Sequence, residues 1–236
     1  MLWAMLLFFL MILVLLVERH NIIYHGTERN PNILDQNVFT AESFEKEPEC
    51  LILWDSSSPV SIMARQQMTE VLEQMRISFA EQDISENDLL SLSRYENVVV
   101  ALDNYDRFGE QILDLFDAVR DGLNLLAICP ISSLSYLNLV AGRMGIVEIG
   151  YEFYTVEGLR FQSDFMLGGE GKDFQIEDPF ESSNTVILSN DCTVHLTSAD
   201  DREIPIIWEY HHGAGTVVVN TLGYFDKAYR GFYAAS

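Results

Sequence analysis

The sequence predicts an α/β fold: a doubly wound, mainly parallel sheet with a C-terminal antiparallel hairpin, preceded by one N-terminal transmembrane helix. Three observations carry this. Between residues 50 and 140, short continuous apolar runs alternate with amphipathic helical patterns, as parallel strands buried on both faces require. Around residues 204–220, two β-branched runs flank a turn. Residues 1–17, MLWAMLLFFLMILVLLV, contain no charged side chain.

As a helix those first residues reach about 25 Å at ~1.5 Å each, the short end of a bilayer span. A cleavable signal peptide wants a basic n-region and a small-x-small cleavage site. Neither is visible, and Val17-Glu18-Arg19-His20 follows directly, so an uncleaved anchor is expected. Residues 18–48 are dominated by Asn, Glu, Asp, Thr and His, with Asn30-Pro31-Asn32 as a breaker. They read as an extended stalk or linker, and the domain proper is placed at 49–236.

Cys50-Leu51-Ile52-Leu53-Trp54 is the first buried strand, ending at Asp55. Ser58-Pro59 supplies an N-cap and a first-turn proline, and the helix behind it aligns Val60, Met63, Met68, Val71, Leu72 and Met75. A second strand is expected at Ile77–Ile84 and a short helix at Glu86–Tyr95. Val98–Leu102 is the third strand, running into Asp103-Asn104-Tyr105-Asp106. Ile112, Leu115, Phe116 and Val119 follow the i, i+3, i+4, i+7 rule, with Gly122 beyond the helix end. Leu125–Cys129 is the fourth strand, stopped by Pro130, and a helix is expected within Ser132–Val140.

After Gly142 the pattern shifts toward antiparallel structure. Val147–Phe161 is aromatic and β-branched, Thr185–Leu188 and Thr193–Thr197 read as short strands, and Gly168–Gly171 as a loop. Ile204–Tyr210 and Thr216–Asn220 form the hairpin, with His211–Gly215 as its turn, and Phe225–Ala235 as a last helix. The chain stops in mid-pattern at Ser236, so further C-terminal sequence is expected.

The chain has 236 residues, 14 Lys+Arg against 36 Asp+Glu and a formal net charge of −22, yet it is 48% hydrophobic. That apolar content excludes a disordered acidic tail, and the charge repels phosphate backbones, which excludes nucleic acid. Three cysteines without a C-x-x-C pair exclude a disulfide scaffold and a zinc ribbon. Gly171-Lys172 has Met166 where a phosphate loop needs glycine and Asp173 where it needs a hydroxyl. His195, His211 and His212 are read as solvated. No metal site and no cofactor are expected.

In a doubly wound sheet, ligands gather at the carboxyl ends of the strands. The candidate rim is therefore Asp55, Asp103, Asn104, Tyr105 and Asp106, joined by Asn220 and Tyr224. Asp103 and Asp106 end a buried strand, where burial raises a carboxyl pKa, although such residues more often cap the following helix. Cys129 ends a strand where a nucleophile would sit, but Ile128 and Pro130 flank it. Pro130 also removes an amide that an oxyanion hole would use. Cys50 and Cys192 are read as structural.

Two segments carry a family resemblance. Phe116–Leu126 is similar to a flap helix, glycine and strand unit, and Pro205–Gly223 to a closing hairpin, of the class I glutamine amidotransferase-like superfamily. The likeness is to its trehalose-utilisation (ThuA-like) and trimerisation-type branch and implies a flavodoxin-like sheet. Asn220–Lys227 with Arg230-Gly231-Phe232 resembles, more narrowly, a bacterial membrane-anchored family. Its longer members carry a polysaccharide-deacetylase-like domain and are linked to exopolysaccharide. True amidotransferases have a Gly-x-Cys-x-Gly elbow and a late His-x-Glu. Here Ala127-Ile128-Cys129-Pro130-Ile131 and Asn220-Thr221-Leu222 stand in those places, leaving Cys129 as a degenerate nucleophile position and no catalytic residue to assign.

The resemblance implies a membrane-anchored, extracytoplasmic domain lacking the triad. It would be a non-catalytic binding or scaffolding module in cell-envelope exopolysaccharide synthesis or modification, with any deacetylase activity beyond residue 236. Its expected partners are the membrane through residues 1–17, other envelope proteins, and a polysaccharide that the chain's charge requires to be neutral or cationic. The alternatives are a carbohydrate-active hydrolase using Asp103, Asp106 or Tyr105, and an oligomerisation module.

Overall fold

The computed structural model describes residues 48–85, 89, 91–128, 137–163 and 171–222, all within the compact unit Pro48–Ser236. The 1–17 anchor, the stalk up to residue 47, Cys129, Tyr224 and the Phe225–Ala235 helix fall outside them. Among the described residues no helix is long and apolar enough to cross a membrane.

The elements are β1 (Cys50–Trp54), α1 (Pro59–Met75), β2 (Phe79–Asp83), β3 (Asn97–Ala101), a 3-10 turn at Tyr105–Phe108, α2 (Gln111–Arg120) and β4 (Asn124–Ile128). Then come α3 (Leu137–Val140), a 3-10 turn at Ala141–Met144, β5 (Ile146–Phe161), β6 (Asp173–Leu188), β7 (Thr193–Ser198), β8 (Pro205–His212) and β9 (Gly215–Asn220). All nine strands join one sheet in the order β2-β1-β3-β4-β9-β8-β7-β5-β6.

The α/β class holds, but the mainly parallel sheet is corrected to a mixed one. The β1–β2, β1–β3, β3–β4 and β4–β9 ladders are parallel. The β5–β6, β5–β7, β7–β8 and β8–β9 ladders are antiparallel. The strand β9 belongs to both halves, because the hairpin inserts beside β4 instead of capping an edge. The Val147–Phe161 stretch falls within β5, 16 residues long; where a short strand was expected at Thr185–Leu188, β6 runs 16 residues. Pro179 within β6 is tolerated because β6 is an edge strand, whose outer backbone groups need no ladder partner.

Helices α1 and α2 pack on opposite faces. On one face Ala64, Met68, Val71 and Leu72 of α1 bury against Cys50, Ile52, Val99 and Ala101. On the other, Ile112, Leu115, Phe116 and Val119 of α2 bury against Val98, Val100, Leu125, Val217 and Val219. The alternation along β3 and β9 sends successive side chains to the two layers. Met63 and Met75 are about half exposed, so the buried stripe of α1 is turned from the one expected and instead includes Ser61 and Gln67. Ser58 caps α1 through its hydroxyl, which accepts from the Ser61 amide at 3.2 Å. The helix expected at 86–95 is not formed where it is described: residues 91–95 are turn and irregular backbone.

The β8–β9 turn is tighter than expected, just Gly213-Ala214 between the strands. Gly213 has φ +69°, and a Cβ there would collide with the backbone of Arg120. The Ala214 amide donates to the Arg120 carbonyl at 2.9 Å, so the hairpin tip is seated on the end of α2.

Candidate functional site

In the order β2-β1-β3-β4, the chain reverses direction of growth between β1 and β3, and that reversal opens a crevice at the strand carboxyl ends. Asp55 leaves β1 into it. Its carboxylate is almost fully buried, at 1% exposure, and is held from several sides. One oxygen accepts from the Ser57 amide at 2.8 Å and the Ser57 hydroxyl at 2.6 Å. The other faces Arg107 Nε at 2.9 Å. A second Arg107 nitrogen donates to Ser57 Oγ at 2.8 Å. Below, the Asp55 amide donates to Ser61 Oγ at 2.8 Å, and that hydroxyl donates to the Ala101 carbonyl at 2.6 Å. The ends of β1, β3 and α1 are thus tied together by the protein's own groups. A helix N-terminus attracts anions, and here Asp55 fills that role from within the chain.

Beside it, Asp83 at the end of β2 accepts from the Ser56 and Ser85 amides at 3.2 and 2.9 Å. Burial pushes its pKa up, but the bonds from Ser56 and Ser85 outweigh it and bring Asp83 down to about 2.

The other candidates divide. Asn104 caps the 3-10 turn, its side chain accepting from the Asp106 amide at 2.9 Å. Tyr105 is buried in the core, edge-on to Phe108 at 5.9 Å between centroids. Asp103 and Asp106 are partly exposed beside them. Asn220, fully buried, pairs in register with Ile128 and accepts from the Leu222 amide at 3.0 Å. So Asp55 is engaged in a network across the crevice, while Asn104 and Asn220 shape turns. Burial raises the Cys50 thiol to about 11 and also raises Cys192, which fits inert structural thiols.

Two clefts open at the amino ends of the strands, away from this rim. One, of 760 Å³, lies between the 89–96 segment and α2, lined among others by Tyr95, Glu96, Gln111, Asp114, Asp121 and Asn124. The other, of 420 Å³, runs beside α1 over Val99, Leu126 and Val218, with Glu209 and Thr216 at its lining.

A polar cluster absent from the candidate rim lies on the antiparallel half. His195 was expected to be solvated; instead it is buried, at 8% exposure. The β7–β8 ladder slips between Val194 and Leu196, so His195 is the extra residue of a bulge, and bulges re-aim side chains. Its Nδ1 lies 2.9 Å from Ser163 Oγ, and its Nε2 lies 3.4 Å from Glu209 Oε2. Glu209 Oε1 is 3.5 Å from the exposed His211. On the opposite face His212 packs edge-on to Phe116. Burial, then Arg143 and Arg120, lower its pKa against an opposing pull from Asp117. Among the described residues no group of three or more His, Cys, Asp or Glu is placed to hold a metal ion.

Comparison with known proteins bears first on the fold. The α-L-fucosidase isoenzyme 2 of Paenibacillus thiaminolyticus matches with a TM-score of 0.53 and 13% identity, over 84% of this chain and 33% of its own. The exo-β-1,4-mannosidase Op5Man5 of Opitutaceae bacterium strain TAV5 matches at 0.52 and 13%, over 80% and 35%. The chain thus spans about a third of the length of these enzymes and shares a fold with that part of them. A glutamine amidotransferase of Thermotoga maritima also matches, at 14% identity over 75% of this chain and 76% of its own, with a TM-score of 0.46, too loose a likeness to argue from. No curated protein matches the sequence. Residues 8–195 match the family described as uncharacterised protein conserved in bacteria (DUF2194), and the chain belongs to that family.

Proposed function

We propose that this chain is a membrane-anchored binding or scaffolding module of the bacterial cell envelope. Its amidotransferase-like domain has no amidotransferase chemistry and engages a neutral or cationic polysaccharide. The observation that carries the reading is Asp55. Where a doubly wound sheet ordinarily receives a ligand, the crevice holds the chain's own carboxylate, closed by Ser57 and Arg107. The 760 Å³ cleft at the opposite strand ends, within the size range of small-ligand sites, supports a cationic or neutral ligand through Glu96, Asp114 and Asp121. The net charge of −22 acts the same way at long range. A carbohydrate as the ligand class is further supported by the matched glycosidases, named as a fucosidase and a mannosidase. The apolar 1–17 segment supports the anchor, and the family resemblance supports an extracytoplasmic domain.

The test is co-sedimentation of the full chain with insoluble chitosan and with calcium alginate at moderate ionic strength. Retention on chitosan, weakened by Asp114→Asn with Asp121→Asn, is expected. Stronger retention on alginate would sink the charge argument. Incubation with glutamine is expected to release no ammonia; turnover abolished by Cys129→Ala would restore the amidotransferase reading.

A further inference from the structure

We propose that Ser163, His195 and Glu209 form a nucleophilic site for small carboxylic esters, on the sheet face that carries α1 but out over β7 and β8. This reading uses none of the residues of the polysaccharide proposal, so either can fail without the other.

Three side chains from separate segments converge. Ser163 follows the end of β5, His195 is in β7 and Glu209 in β8. Ile207 and Leu196 pack in the α1-side core, and Glu209, two positions after Ile207, falls on the same face. The bulge at His195 turns its ring toward that face, between the hydroxyl and the carboxylate. The step needs the tautomer that carries its proton on Nε2, 3.4 Å from Glu209 Oε2, and presents the Nδ1 lone pair to Ser163 Oγ, 2.9 Å away. A base within hydrogen-bond reach of a hydroxyl, with a carboxylate near its far nitrogen, is the arrangement that activates serine. The ring is buried while Ser163 is only half-buried. Glu209 is itself about one-third exposed and lies between His195 and His211.

The step balances as follows. The Ser163 oxygen bonds to the ester carbonyl carbon as its proton passes to His195 Nδ1. The carbon–oxygen bond to the alcohol then breaks, the alcohol taking that proton and leaving acyl-Ser163. A water molecule, deprotonated by the same nitrogen, attacks the acyl carbon, releases the carboxylic acid and restores the Ser163 hydroxyl. Ser163 and His195 are the catalytic residues. Glu209 is a positioning residue.

The full chain is treated with a fluorophosphonate at pH 8 and digested for mass spectrometry, and 4-nitrophenyl acetate hydrolysis is followed from pH 5 to 9. Phosphonylation at Ser163 ahead of other serines is expected. Ester hydrolysis is expected to fall at least tenfold in Ser163→Ala and in His195→Gln. In Glu209→Gln kcat is expected to fall with KM unchanged, and Glu209→Asp is expected to restore part of the loss. A merely structural role for Glu209 would show as lost stability and not as this split. Labelling of the unmodified chain needs no variant to fold. If Ser163 is not labelled above other serines, or is labelled equally in a folded His195→Gln chain, the proposal is overturned.

Discussion

The two halves of the sheet solve different problems with the same backbone. In the parallel half, β1, β3 and β4 are five residues long and almost wholly apolar, and they are covered by α1 and α2 on opposite faces. In these three strands polar groups are confined to the ends, and at the carboxyl ends the Asp55 network ties them together. In the antiparallel half, β5 and β6 are long and slip register three times, and β7 carries His195, Thr197 and Ser198 in buried positions. The parallel half gains its rigidity from two apolar layers. The antiparallel half exchanges some of that for bulges, which bring polar side chains inward and aim them. A doubly wound sheet is usually searched for function at its strand ends; here the less regular half holds a second polar cluster, around His195.

The strongest challenge to a division between halves is a substitution at their seam. Trp208 on β8 is fully buried and donates from Nε1 to the Met144 carbonyl at 2.9 Å. Trp208→Ala should destabilise by about 3–5 kcal/mol. Because β9 ties both halves, urea unfolding should remain one transition at a lower midpoint; two transitions would show halves that fold separately. Next comes the strand-end network. Asp55→Ala removes a buried acceptor serving Ser57 and Arg107 and should lose about 2–3 kcal/mol. Arg107→Ala should lose only about 1 kcal/mol, since that side chain is half exposed. Equal losses for the two would mean that the buried carboxylate is not the centre of the network.

These effects also mark what was legible in the amino acids. Leu51–Leu53 and Val98–Val100 announce buried strands because continuous apolar runs of that length have few other homes. Ser58-Pro59 announces the start of α1 by cap chemistry alone. Asp55 was on the rim by position, but its partner Arg107 was not foreseen. Their meeting depends on how β1 and β3 sit side by side, which no local pattern encodes. His195 was misread for a sharper reason: strict alternation assumes an unbroken ladder, and one extra residue in β7 reverses the side to which a residue points. The length of β6 was hidden by Pro179 and by Ser182-Ser183-Asn184, which locally read as breakers.

Two smaller effects sharpen the contrast. Gly213→Ala should lose about 1–3 kcal/mol through its positive φ and its contact with Arg120. Gly171→Ala, also at positive φ but with open space around it, should lose less, as thermal melts would show. Last is a pH effect confined to the parallel half. The folded pKa of Asp83 lies near 2, below the ordinary carboxylate value of about 4. Its contribution is therefore complete above that ordinary value and is lost as pH falls toward 2. Asp83→Asn should flatten the acid limb of stability between about pH 4 and 2, measured by urea midpoints. An unchanged limb would place the acid sensitivity elsewhere.

The place of β9 has a consequence in time. Leu125 on β4 finds its neighbour Val217 only after every intervening strand has been made, so of the described strands the one beside β4 in the middle of the sheet is made last. During translation the edge of β4 stays open, and β5 to β8 can assemble their hairpins without being joined to it. Pairings this distant along the chain close slowly and leave strand edges exposed meanwhile. The arrival of residues 215–220 is therefore what joins the two half-sheets, and a nascent chain halted before them keeps the edges of β4 and β8 open to other chains.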